Sequence, residues 1–170
     1  MMAGDNRGIW FIPDIGDEVL LGFDGGEAGQ AYVVGALWGG GHSPPETMAA
    51  GNNKKLVRSR NGVKITLDDQ SDRESIIIET PAGQKITLKD GPGAVELNDS
   101  NGNSIELRPD GVVITASAKV TVNASQVEIS AGMVKIDAGI AKFSGVVQCD
   151  TLISNSVVSA SYTPGAGNIA

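Results

Sequence analysis

Both bulky and reactive side chains are scarce in these 170 residues. Aromatics make up only 4%, which argues against a globular core built around large rings. Cys149 is the single cysteine, so no intrachain disulfide framework exists. His42 is the single imidazole, set in a Gly/Pro segment without a second ligand or nucleophile beside it. Cationic residues are in the minority, 13 Lys and Arg against 20 Asp and Glu. The resulting net charge of −7 weighs against a nucleic-acid backbone as partner. No stretch approaches the roughly 18 apolar residues of a membrane-spanning helix. The start, MMAGDNRG, lacks the basic region and apolar run of a signal peptide. Gly39–Gly41 lacks the Lys-Ser/Thr of a phosphate loop, and no hydrolytic triad or paired carboxylates stand in suitable context. These absences predict a protein that is not an enzyme and needs no metal or cofactor.

Glycine, by contrast, is abundant: 23 residues, about twice the usual share. The most regular stretch, Lys119–Val146, reads KVTVNAS, QVEISAG, MVKIDAG, IAKFSGV. Its apolar residues come as pairs two apart, Val120/Val122, Val127/Ile129, Val134/Ile136 and Ala141/Phe143, each seven residues after the last. A gap of two is the spacing of one face of a strand. A coiled coil would need gaps of three and four on helix-forming residues. β-Branched residues with Gly, Asn, Ser and Asp between the pairs instead predict very short strands joined by sharp corners.

The rest of the chain divides by composition. Residues 1–8 are polar and are expected to be a disordered start. Residues 9–38 hold an apolar lead-in (Trp10, Phe11, Ile12), a turn near Pro13–Gly16, and two strands, Asp17–Phe23 and Ala31–Trp38, joined by a Gly-rich turn. Residues 39–62 are a linker with Gly39–Gly41, Pro44–Pro45 and a basic cluster of Lys54, Lys55, Arg58 and Arg60. From residue 63 the apolar pairs return: Val63/Ile65/Leu67, Ile76/Ile78, Ile86/Leu88, Val95/Leu97, Ile105/Leu107 and Val112/Ile114. They are separated by corners at Pro81–Gly83, Gly91–Gly93, Asn101–Asn103 and Pro109–Gly111. The interval between pairs shrinks from about ten residues to seven by Val120. A shaft over residues 63–160 is therefore expected, followed by a tail over 161–170 outside the repeat.

Short amphipathic strands must bury their apolar face against another layer. Three seven-residue steps could close one turn of a single-chain solenoid. Alternatively, three chains could wind together, each supplying strands to a shared prism and pairing the others' edges. Either way the expected core comprises Ile86, Leu88, Val95, Leu97, Ile105, Leu107, Val120, Val127, Val134 and Ala141. A stiff rod of this kind has the properties of a needle rather than a catalyst.

The phrase FIPDIGDEVLLGFDGGEAGQAYVVGALW resembles the end of the OB-fold domain in spike proteins of contractile injection machines. That family comprises the VgrG proteins of type VI secretion, the phage baseplate assembly protein V group and the spikes of extracellular phage-tail-like particles. The likeness rests on Ile12, Pro13, Gly16, Glu18 and Val19, the acidic turn Asp24–Glu27, and Val33, Val34, Gly35 and Trp38. HSPPE at 42–46 resembles the family's linker, and KKLVRSRNGVKITLDD at 54–69 resembles its approach to the shaft. The resemblance covers about residues 10 to 148.

It implies an all-β fold: the C-terminal part of an OB-fold barrel, truncated at the N-terminus, followed by an intertwined three-chain β-helix. It also implies a homotrimer with baseplate hub and tube proteins at the N-terminal end and a conical PAAR-type tip protein at the C-terminal end. The function implied is puncturing of a target envelope by a phage, a phage-tail-like particle released extracellularly, or a type VI apparatus. Some family members bind iron at the tip through His-x-His; this chain has only His42, far upstream. Tyr162, Pro164 and Ile169 in the tail are the expected platform for a tip partner.

The remaining candidates have plainer readings. Cys149 reads as a small structural side chain, since no His accompanies it. Asp68, Asp69, Asp72 and Glu74 lack calcium-loop spacing and read as solvated corners. The basic cluster at 54–60 lacks interleaved aromatics and reads as a subunit contact or solvated loop. The rival functions are a trimeric receptor-binding tail-fibre segment and, third, an enzyme on a single-chain β-helix.

Overall fold

A computed structural model of the chain describes residues 3–26, 29–90 and 94–161. It divides into two compact units, Met1–Val122 and Asn123–Ala170.

The first unit opens with two tiny strands, β1 (Ala3–Gly4) and β2 (Arg7–Gly8), which pair antiparallel. A larger hairpin follows, β3 (Glu18–Phe23) and β4 (Ala31–Leu37), joined through a 3-10 turn at Asp24–Gly26. Tyr32 lies directly across from Gly22, and a Cβ there would sit 2.7 Å from the Tyr32 ring. Among the described residues no further strand joins this hairpin. The expected OB-barrel strands are therefore corrected to an open two-stranded ribbon: β3 and β4 each have one hydrogen-bonded neighbour, and a closed barrel requires two.

Next come seven strands of five residues each: β5 (Lys54–Arg58), β6 (Lys64–Asp68), β7 (Ser75–Glu79), β8 (Lys85–Lys89), β9 (Ala94–Asn98), β10 (Ser104–Arg108) and β11 (Gly111–Thr115). They form one sheet in sequence order, every neighbour antiparallel. β5 falls inside the segment expected as linker. The turns explain this topology. Arg60-Asn61-Gly62, Pro81-Ala82-Gly83 and Ser100-Asn101-Gly102 each end in a glycine with positive φ, 90°, 91° and 83° respectively. A three-residue loop with a left-handed third position reverses the chain into an antiparallel neighbour. The flanking residues close each loop: Ser59 N–H donates to Val63 O at 2.9 Å, Thr80 N–H to Gln84 O at 3.0 Å and Asp99 N–H to Asn103 O at 3.1 Å.

These reversals overturn the expected β-helix. A solenoid corner turns the chain onward in one sense, whereas each of these loops sends it back alongside itself. The sheet is an open meander, neither closed nor coiled into a solenoid. The all-β character expected from the sequence stands; the way the strands connect differs.

The register sorts side chains cleanly between the two faces. One face carries two rows running across all seven strands. The first is Val57, Ile65, Ile78, Ile86, Leu97, Ile105 and Ile114; the second is Lys55, Leu67, Ile76, Leu88, Val95, Leu107 and Val112. The other face is polar, with a central row of Leu56, Thr66, Ile77, Thr87, Glu96, Glu106 and Val113.

In the second unit, residues 123–161 contain no strand or helix among those described. The chain bends at Ser125, Gly132 and Gly139, seven residues apart, matching the sequence period. Later bends fall at Gly145, Asp150, Asn155 and Ala160, five residues apart.

Candidate assembly face

Exposure on the seven-stranded sheet is inverted. No apolar residue among those described is buried, and the two that are buried, Thr66 and Thr87, lie on the polar face. Ile105, the best covered aliphatic residue of the two apolar rows, is still 37% exposed, whereas Thr87 is 6% exposed. The cause is side-chain length. Long charged residues on the polar face fold over their neighbours, while the branched aliphatics stand upright with nothing above them. A contiguous apolar face of this extent is far more than scattered surface hydrophobics.

The polar face is held together by cross-strand ion pairs. Lys64 Nζ lies 2.6 Å from Glu79 and Lys89 Nζ lies 2.7 Å from Glu96 across neighbouring strands, while within β10 Arg108 Nε donates to Glu106 at 2.8 Å. Hydrogen bonding from Lys64 and from Lys89 holds Glu79 and Glu96 below the ordinary carboxylate range, and Glu106 raises Arg108. Hydroxyls of Thr66 and Thr87, flanking Ile77 in register, have no hydrogen-bond partner.

Polar rims bound the apolar face at both strand ends. At one end, Asp69 N–H donates to Asn53 O at 2.9 Å and Asp90 N–H to Glu74 O at 2.8 Å. Here Lys55 Nζ donates to Asn52 O at 2.6 Å and to Asp69 Oδ2 at 3.1 Å. At the other end Asp99 accepts from the N–H groups of Asn101 and Asn103 at 2.8 and 2.9 Å and from Asn103 Nδ2 at 2.7 Å. The Asn103 N–H and side chain lead in lowering its pKa from 3.8 to about 2.

Ile86, Leu88, Val95, Leu97, Ile105 and Leu107, expected as core, share this one face. Val120 joins Ile78, Ile86, Leu97, Ile105 and Ile114 in lining a groove along it. Val127, Val134 and Ala141 belong to the second unit and are exposed there. Tyr162, Pro164 and Ile169 lie outside the described residues. His42 is exposed, its N–H bonded to Gly39 O at 3.0 Å, and Cys149 is exposed as well. Among the described residues, Asp68, Asp69, Asp72 and Glu74 do not group into a metal-binding set. Lys54 and Lys55 pair with Glu46 and Asp69, and Arg60 with Asp14.

Sequence reasoning missed two features. Val57 belongs to the apolar face and Lys55 to its rim. The alternation in Lys54-Lys55-Leu56-Val57-Arg58 followed by a glycine-terminated turn was the available signal. The five-residue spacing after Gly145 was also legible, as Val147, Leu152 and Val157 five apart.

Two family models match the chain. Residues 75–139 match the phage baseplate V C-terminal trimerisation domain, and residues 1–38 match the type VI secretion system/phage-baseplate injector OB domain. No curated protein matches at a significant level. The two matches establish homology at the family level to baseplate protein V and its VgrG-like relatives. They support a structural, non-catalytic role in a phage-baseplate or phage-tail-like injection apparatus.

Proposed function

We propose that this chain is the shaft of a cell-puncturing spike and works as a homotrimer in which three copies bury their apolar sheet faces against one another. The observation that carries this reading is the pair of seven-residue rows on one face of an uncovered sheet, with Lys55 the one charged position in them. Exposed to water, such a face is costly; covering it at about 25 cal/mol per Å² of apolar area is a strong drive to associate. The trimerisation description of the family matched by residues 75–139 supports the choice of three.

In this reading residues 63–160 form the shaft and 161–170, with Tyr162, Pro164 and Ile169, the platform for a PAAR-type conical tip protein. Exposed Trp10, Ile15 and Trp38 lie at the end that meets hub and tube. Sheath contraction drives the trimer against a target envelope. An apolar interior shared by three chains resists shear because separating them exposes every row at once.

Mass in solution tests the reading. Sedimentation equilibrium should give three times 17.5 kDa; a monomer across the accessible concentration range sinks it. A pull-down with a PAAR-type protein tests the tip. Retained glycan binding without any tip partner would favour a tail-fibre segment instead.

A further inference from the structure

We infer that Lys55 and Asp69 form a built-in ion pair that sets where the apolar contact between copies stops and in which register the copies meet. The inference rests on the self-association proposed above and concerns a second copy of this chain as the partner. Lys55 opens the row that continues through Leu67, in the position where every other strand places an aliphatic residue. Its ammonium is already answered within the chain, by Asp69 Oδ2 at 3.1 Å and Asn52 O at 2.6 Å.

In the separate chain this pair stands in water, with side-chain exposures of 52% and 62%, where an ion pair contributes little. At the border of the contact with a second copy, it loses part of that water. The two charges then depend on each other, since removing either leaves its partner desolvated and uncompensated. Glu74 and Asp90 lie on the same rim, so the cation also offsets an otherwise acidic border. A copy displaced by one strand would press the pair onto an aliphatic row. Only the aligned register keeps it at the edge, which makes the pair a selector against slipped assemblies.

A double-mutant cycle on the full chain tests this, read as the concentration of half-assembly by sedimentation equilibrium. Lys55→Met and Asp69→Asn should each raise that concentration about tenfold, and the double variant should return to within about threefold of the unmodified chain. Recovery in the double variant also shows that the single changes did not act by unfolding the sheet. The exposed Lys54–Glu46 pair, 3.9 Å apart on the opposite face, serves as control; Glu46→Gln should leave assembly unchanged. A trimeric parent chain with additive or absent effects in the cycle overturns the ion-pair assignment alone. A parent chain that never associates overturns the self-association reading together with it.

Discussion

Asn103 Oδ1 accepts two hydrogen bonds from Ser117, from the backbone N–H at 2.9 Å and from the hydroxyl at 3.2 Å. The same amide donates through Nδ2 to Asp99. One side chain thus ties the β9–β10 turn to the first residues beyond β11, the outermost strand of the sheet. Edge strands are the first to fray, and this clasp opposes fraying. Asn103→Ala should lower stability by about 1–2 kcal/mol. It should also speed amide hydrogen exchange at Ser117 and along β11 while leaving β6–β8 protected. Uniform loss of protection across the sheet would show that the clasp is not local.

Asp99 sets a pH dependence at the same place. Its folded pKa, about 2, lies below the ordinary 3.8, so the folded state favours the carboxylate. The contribution is full above pH about 4 and is lost as pH falls towards 2. Acid titration should therefore loosen the β9–β10 turn and the Ser117 clasp within this window. Asp99→Asn should remove that step from the acid limb followed by NMR at Asn101 and Asn103; an unchanged limb would contradict the assignment.

Much of this arrangement was legible before any coordinates. The alternation at Ile86/Leu88, Val95/Leu97 and Ile105/Leu107 identifies strands and their apolar face, because side chains two apart must share a face. What the alternation does not encode is the direction of the next strand. A seven-residue step at Val120 and a ten-residue step at Ile86 look alike as spacing. Only the second has room for a five-residue strand and a reversing loop, and Gly62, Gly83 and Gly102 at the third loop position are its mark. Lys55 stayed hidden for a different reason. A lysine beside another lysine reads as solvated, and its place on the apolar face follows only from the pairing with Leu67.

Thr87 offers a test of the polar face. It is buried on that face and its hydroxyl has no partner. A buried, unanswered hydroxyl is destabilising relative to a methyl of the same shape. Thr87→Val should raise stability by about 1 kcal/mol, seen as a higher urea midpoint with unchanged slope. A loss of stability would mean that the hydroxyl has a partner in solution.

Ile86 and Val127 separate the contributions of the two units to assembly. Ile86 lies in the first apolar row, 38% exposed, between Ile78 and Leu97. Val127 lies in the second unit and is 62% exposed. In a single chain, an aspartate at either position can be hydrated, so the cost to the monomer is small. In a trimer, the same change buries three like charges near one axis, and burying unpaired ions costs several kcal/mol each. Ile86→Asp should therefore abolish association while circular dichroism of the sheet persists. Val127→Asp should do the same if the first residue of each seven-residue pair faces the other copies. A stable trimer in the Ile86 variant would remove the apolar sheet face from the interface. A stable trimer in the Val127 variant alone would confine the contact to the sheet, leaving the bent segment to face water.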